Sequence, residues 1–278
     1  MDPWVYTLGV DPKEELARHL GDARLPSFPS LQIRILDVLR DPDSHTGRLV
    51  ELVAMDPGLT VQLLRGVNSA AFGAPGRVTS ISQAVRIAGR AWIEHLVLAL
   101  TVRDMVDRRV PTQAVREFWA AAAFRAAFAE RLAAASRPEE ASLCFTVALL
   151  QDMAMPLLAQ HGGLPYGLVL AHWQDSDEPL HVIERQHLGW DHADVAFWLA
   201  ASWGLPGELC QALGGHHGPS RRCPTAPAAV RVAGLAFAGA EALRSAAEAE
   251  LGLGPEALAM ALSAAQARHG ELVRLVTR

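Results

Sequence analysis

The chain has 278 residues, 50% of them hydrophobic and 20% charged, with a formal net charge of -5. That length supports one large core or two intimate lobes. The balance of residues excludes a disordered chain and lacks the basic footprint of a general nucleic-acid binder.

Helical periodicity runs from end to end and period-two alternation beside turn dipeptides does not, so the expected fold class is all-α. After a leader over 1–24, an apolar face of Leu31, Ile33, Ile35, Leu36, Val38 and Leu39 predicts a helix that Asp41-Pro42-Asp43 stops. Ser44 is expected to cap the next helix, which turns Leu49, Leu52 and Val53 inward. Asp56-Pro57 supplies an N-cap and a proline at the first helical position for a helix through Leu59, Leu63, Leu64 and Val67. A loop over 68–76 comes next. Ser80-Ile81-Ser82-Gln83 matches a capping box and opens a helix that breaks near Gly89, before a longer apolar helix over 93–106. These elements make a first lobe over 25–108.

A second lobe over 110–240 begins after Val110-Pro111-Thr112 with an Ala-rich helix, 113–135, carrying Phe118, Trp119, Phe124 and Phe128. Ser136-Arg137-Pro138-Glu139 is expected to cap a helix running through Phe145, Leu149 and Asp152 and limited by Pro156, with Gly162-Gly163 and Pro165 ending that unit. Asp191 caps a helix over 193–203 closed by Gly204, and Pro206 opens a short helix closed by Gly214-Gly215. His216 and His217 come directly after it. Residues 241–278 form further Ala-rich helices, broken at Gly252 and Gly254, that pack on the domain.

Cys144, Cys210 and Cys223 are widely spaced without a C-x-x-C pair, which points to reduced thiols. Met1-Asp2-Pro3-Trp4 lacks the basic-then-apolar run of a secretory signal, and the apolar stretches 96–102 and 232–240 are too short to span a bilayer, so a cytoplasmic location is expected. No G-x-S-x-G elbow, Walker loop or H-E-x-x-H occurs. Gly73-Ala74-Pro75-Gly76-Arg77 reads as a turn rather than a phosphate cradle, and Arg221-Arg222 with Arg231 as a solvated basic corner.

Several stretches together resemble the HDOD family of bacterial signalling, which is related to the HD-domain phosphohydrolases. In the first lobe they are Leu25-Pro26-Ser27-Phe28-Pro29, Asp56-Pro57-Gly58-Leu59-Thr60, Asn68-Ser69-Ala70-Ala71-Phe72-Gly73, and Ser80-Ile81 with Ala84-Val85. In the second they are Ala148-Leu149-Leu150-Gln151-Asp152, Asp191-His192-Ala193-Asp194-Val195, Trp203-Gly204-Leu205-Pro206, and His216-His217 before Pro219. The resemblance covers 25–240 and implies a two-lobed helical HDOD fold with an HD-like core.

Catalytic HD proteins hold a divalent metal with a His on one helix, an adjacent His-Asp pair on another, and a later Asp. Carried over by motif, those positions are Ala121, Gln151, Asp152 and Gly234, so Asp152 alone keeps a ligand. One carboxylate does not make a metal site, because a divalent ion needs three or more protein ligands to offset its dehydration. No metal, no cofactor and no catalytic residue is therefore expected. His192, His216 and His217 are candidate polar residues of the same cleft, and a reduced site of Asp152 with two of these histidines holding zinc is the alternative. The plainer expectation is that His192 packs or caps its helix start, His216 and His217 satisfy loop carbonyls, and Asp152 accepts hydrogen bonds. His172, His181 and His187 read as solvated.

If chemistry is lost, function lives in surfaces. Asn68, Ser69, Phe72 and Gly73 form a candidate interaction loop, set against a structural reading in which Asn68 and Ser69 cap a helix end and Phe72 plugs the space between lobes. Trp190, Trp198 and Trp203 are a candidate anchor cluster for a partner, set against a reading in which Trp198 and Trp203, at near-helical spacing, are core. The expected function is a non-catalytic signal-transduction module that binds other signalling proteins in trans, without nucleic-acid or membrane partners. The alternatives are a metal-dependent phosphohydrolase or cyclic-nucleotide phosphodiesterase with a reduced site, and a nucleotide sensor that does not cleave its ligand.

Overall fold

A computed structural model describes residues 11–20, 27–68, 76–107, 113–219 and 223–276. Among the described residues every regular element is a helix. The first six are α1 (Pro12–Leu20), α2 (Ser30–Arg40), α3 (Thr46–Ala54), α4 (Pro57–Val67), α5 (Ile81–Ala88) and α6 (Arg90–Asp107).

Side-chain caps set the starts of α4 and α5. Asp56 accepts the Leu59 amide at 2.9 Å and starts α4 with Pro57 at its first position. Ser80 accepts the Gln83 amide at 3.2 Å to start α5, which stops at Gly89, where φ is +80° and a side chain would be strained. Ser44 departs from expectation. The N-cap of α3 is His45, which makes no side-chain cap bond, while the Ser44 hydroxyl donates to the carbonyls of Val38 at 2.5 Å and Asp41 at 2.8 Å. The Arg90 guanidinium joins it there, donating to Leu39 and Asp41 carbonyls at 3.0 Å. The orphan carbonyls at the end of α2 thus compete successfully for both donors.

The second group comprises α7 (Gln113–Ser136), a 3₁₀ turn (Pro138–Glu140), α8 (Ala141–Leu150), α9 (Ala154–His161), α10 (Gly163–Gln174), α11 (Leu180–Leu188), α12 (His192–Ser202), α13 (Gly207–Gly214) and α14 (Ala228–Gly234). After a second 3₁₀ turn (Leu235–Phe237), α15 (Ala240–Leu251) and α16 (Pro255–Val276) complete the chain. The centre is α7. Its small Ala122, Ala123, Ala126, Ala127, Ala129 and Ala133 are buried, which lets α8, α14 and α16 approach closely, while Trp119 and Phe128 fill the gaps. Helix α16 is tied to α7 by an Arg268–Glu130 ion pair and by His269 Nε2, 3.0 Å from the Ala120 carbonyl. Helix α6 packs on both α2 and α8 and so joins the first group to the second.

Three further boundaries, all in the second group, differ from the sequence expectation. Ser136 closes α7 instead of capping the next helix, its hydroxyl donating to the Leu132 carbonyl at 2.9 Å. Helix α8 ends at Leu150, so Gln151 to Met153 form a turn, and Pro156 lies in the first turn of α9, where its missing N–H costs no helical bond. Gly162-Gly163 and Pro165 do not end the unit either, since α10 begins at Gly163 and carries Pro165 in its own first turn. The stretch Pro138–His161 is long and apolar enough to cross a membrane, yet 72% of its most apolar window is buried inside the protein. The three cysteines are all buried and none forms a disulfide, and burial pushes the Cys144 thiol up to about 12.

Candidate functional site

The turn after α8 places Asp152 against the start of α12 and the loop leaving α13. His192 is the first residue of α12, oriented by a reciprocal cap in which Asp191 accepts the Asp194 amide at 3.0 Å and Asp194 accepts the Asp191 amide at 3.3 Å. Arg185 on α11 pins that cap, its Nε 2.8 Å from Asp191 Oδ2. His216 and His217 leave α13 through Gly214-Gly215, and this step depends on glycine. A Cβ on Gly215 would sit 1.9 Å from the Pro224 carbonyl oxygen, because the 224–226 backbone crosses there and the Ala226 amide donates to the Gly215 carbonyl at 3.1 Å. Gly215→Ala is therefore expected to cost about 1–3 kcal/mol of overpacking, read as a lowered urea midpoint, with the two adjoining histidines displaced.

Asp152, His192, His216 and His217 each bring one ligand atom within 4.8 Å of the others. His192 Nε2 is 3.3 Å from Asp152 Oδ1, and His216 Nε2 is 3.2 Å from the same oxygen. His192 Nε2 also meets His217 Nε2 at 2.8 Å. Behind them, buried Glu184 on α11 accepts from the His192 amide at 2.9 Å, His192 Nδ1 at 2.6 Å and the Tyr166 hydroxyl at 2.6 Å. His216 Nδ1 donates to the Leu213 carbonyl at 2.7 Å, which directs Nε2 inward. From α7, Arg125 sets its guanidinium 2.6 Å from Asp152 Oδ2, with the Arg125 side chain 13% exposed and that of Asp152 9%.

These contacts fix the charge states. Burial alone would raise the Asp152 carboxyl, but Arg125 and the facing His192 and His216 rings hold it well below the usual carboxylate range. Burial would likewise lower His192, yet its bonds to Asp152 and Glu184 carry it up to about 10. Packing among its neighbours, then repulsion from His216, His192 and His181, pushes His217 down. His192 thus carries the positive charge of the cluster, held between two carboxylates. Burial, then Glu184, pushes the Tyr166 hydroxyl up, so it stays a donor.

The sequence-derived positions fare unevenly. The structure brings Asp152, His192, His216 and His217 together. Gln151 is buried beside Asp152, and its Oε1 finds no hydrogen-bond partner. Ala121 lies one helical turn before Arg125 on α7, and Gly234 is exposed, with open space where a side chain would begin. Asn68 is structural, donating to the carbonyls of Leu64 at 2.8 Å and Val78 at 2.6 Å and accepting the Val78 amide at 2.7 Å. Ser69, Phe72, Gly73, Arg221 and Arg222 lie outside the described residues. Trp190, Trp198 and Trp203 are buried. Two histidine expectations need correction: His217 faces His192 rather than a loop carbonyl, and His181 is half-buried, stacked on His217 with ring centroids 3.9 Å apart. His172 and His187 are exposed but meet each other at 2.9 Å. Arg231 is no free corner, since it donates to the Ala226 carbonyl at 2.8 Å and pairs with Glu250.

Sequence reading missed Arg125, Glu184, Tyr166 and His181. Arg125 had a signal, being the one polar residue in the run Phe118 to Ala129. His217 and His181 border a cleft of about 680 Å³ whose other walls include Arg18, His19, Arg185 and Trp190.

The donor set fits the HD-type metal arrangement poorly. Helix α7 offers Ala121 and Arg125 where a His ligand would be needed, and Gln151 replaces the paired His. The buried His216 Nε2 is turned to Asp152 Oδ1 at 3.2 Å.

The fold and this remnant define a helical protein of the HD-related class. The HDOD domain profile matches residues 25–219, and the chain belongs to that family. A curated protein of Treponema pallidum (strain Nichols), itself uncharacterised, is 26% identical over 212 residues, covering 73% of this chain; the match spans 40% of that relative's length. An HDOD domain protein of Geobacter sulfurreducens superposes with a TM-score of 0.71 at 20% identity, covering 98% of each chain. A candidate phosphohydrolase of Shewanella amazonensis SB2B gives 0.72 at 21%, covering 97% of this chain and 98% of the other. A candidate signal transduction protein of Marinobacter aquaeolei VT8 gives 0.71 at 23%, covering all of this chain and 67% of the other. At these identities the likeness concerns the fold.

Proposed function

We propose that this chain is a non-catalytic signal-transduction module that works by binding other signalling proteins. The observation that carries the reading is the Arg125–Asp152 pair, largely shielded from solvent and 2.6 Å long. A metal hydrolase needs its carboxylate free to hold an ion, and an open coordination position where water becomes the nucleophile. Here a fixed guanidinium occupies Asp152 Oδ2, protonated His192 faces Oδ1, and Ala121 and Gln151 supply no replacement. The carboxylate is neutralised by side chains, so the site has kept the shape of a hydrolase core while losing its nucleophile.

The test is turnover. Purified protein supplied with manganese, iron or zinc and assayed on a cyclic dinucleotide, a cyclic mononucleotide and a generic phosphodiester is expected to give no hydrolysis above that of Asp152→Ala. Asp152-dependent hydrolysis of any of them would replace this reading with a reduced phosphohydrolase.

A further inference from the structure

We infer that α1 is a displaceable strap over a helix-docking groove on α12, and that the groove takes a partner's short amphipathic helix with the pattern Glu15-Leu16-x-x-His19. The inference rests on the reading of the chain as a protein-binding module and names the surface and the kind of partner. Helix α1 precedes the family-matched region, which begins at residue 25, yet among the described helices it packs chiefly on α12 in the second lobe. There it covers two of the tryptophans that the sequence offers as anchors. His19 stacks on Trp198 with ring centroids 5.2 Å apart and planes 8° apart, and its ring lies 5.7 Å from that of Trp190. The two indoles meet edge to face at 6.5 Å, so a single ring from α1 spans the pair.

Three features mark the contact as removable. Helix α1 has 9 residues, too few to persist alone in water, and its buried apolar side chains are Pro12 and Leu16. Buried Glu15 pairs with Arg18 and with His19, whose Nε2 lies 3.3 Å from Glu15 Oε2, and these pairs within α1 travel with it when it lifts. Packing beside it is incomplete: the cleft of about 680 Å³ parts Glu15, Arg18 and His19 from His181, Arg185 and His217, whereas a core helix leaves few gaps larger than a water molecule. Phe28 holds the following chain on Trp203, with ring centroids 5.8 Å apart, and so tethers the strap. A partner helix enters by the same mode, its leucine in the seat of Leu16 and its ring on Trp198. It must outcompete α1, which the tether presents at an effective concentration of about 1 mM. Because His192 begins α12, the docked helix sits beside the remnant hydrolase site.

The experiment uses the full chain and a fluorescein-labelled synthetic peptide of residues 11–20, with binding read by fluorescence polarisation. Leu16→Asp in the chain is expected to expel α1, so this variant should bind the peptide about tenfold tighter or more than the parent chain, whose groove α1 already holds. His19→Ala, which removes the stacked ring and keeps Leu16, should give an intermediate affinity. A peptide carrying Leu16→Asp should bind none of the three chains. In the parent chain, the amides of α1 should exchange with deuterium about a hundredfold faster than those of α12. Equal affinity of all three chains, no binding at about 1 mM peptide, or exchange of α1 as slow as that of α12 would overturn the inference. Loss of the whole fold in Leu16→Asp would overturn it too, because α1 would then be part of the core. Peptide binding without phosphodiester turnover supports both readings, no binding and no turnover overturns the strap alone, and binding with Asp152-dependent turnover leaves the strap standing and overturns the non-catalytic role.

Discussion

Glu184→Ala is expected to lower the unfolding free energy by about 3–5 kcal/mol, measured by urea denaturation of chelator-treated protein. Glu184 is fully buried and accepts three donors, the Tyr166 hydroxyl, the His192 amide and His192 Nδ1. Removing it strands all three away from water, and an unsatisfied buried donor costs about 1–3 kcal/mol. It also strips charged His192 of one of its two carboxylates. Glu184→Gln keeps a carbonyl oxygen for one donor and should cost less, about 1–3 kcal/mol. The pH profile carries the same information. His192, raised to about 10 in the folded state, contributes stability that is fully present below its unfolded value of about 6.5 and lost as pH rises through about 10. Asp152, held low, contributes stability present above about pH 3.9 and lost on acidification. Metal-free protein should therefore be most stable between about pH 4 and 6.5, and Glu184→Ala should flatten the alkaline limb.

Arg125→Ala is expected to cost about as much, about 3–5 kcal/mol, because it leaves a buried carboxylate without its closest cation. The loss should not be recovered by Arg125→Lys, whose compact ammonium on a flexible stem does not reproduce the planar guanidinium held across α7 and α8. Replacing both members with uncharged groups of similar shape, Arg125→Met with Asp152→Asn, should recover most of the stability, since neither charge is then left alone. A catalytic carboxylate would behave differently, with its removal relieving strain and costing activity before stability.

Much of the fold is written in local signals. Asp56-Pro57, Ser80, Asp191 and Gly252 mark helix ends through cap geometry that depends on a few neighbouring residues, and the structure uses each where expected. The misplaced boundaries at Ser44, Ser136 and Pro156 share one cause. Each residue had two permitted roles, and the choice between them was set by partners distant in sequence or by the end of the preceding helix, as Arg90 shows at the α2 terminus. The site was legible in its ligands and opaque in its charge balance. Asp152, His192, His216 and His217 stood out by chemistry and motif, whereas Glu184 and Tyr166 sit 18 residues apart on separate helices and look like ordinary members of amphipathic stretches. Arg125 could be seen as an isolated charge among alanines, but only the packing of α7 on α8 shows which carboxylate it neutralises.

Asp152 has changed, on this reading, from a metal-holding catalytic carboxylate into a paired structural charge. The most direct test is a double-mutant cycle of Arg125→Met and Asp152→Asn in chelator-treated protein, read by urea denaturation. A coupling energy of about 2–3 kcal/mol, with the double variant more stable than either single one, is the result expected. Additivity within about 0.5 kcal/mol would mean that Arg125 does not neutralise Asp152, and the carboxylate would again be free to serve a catalytic ion.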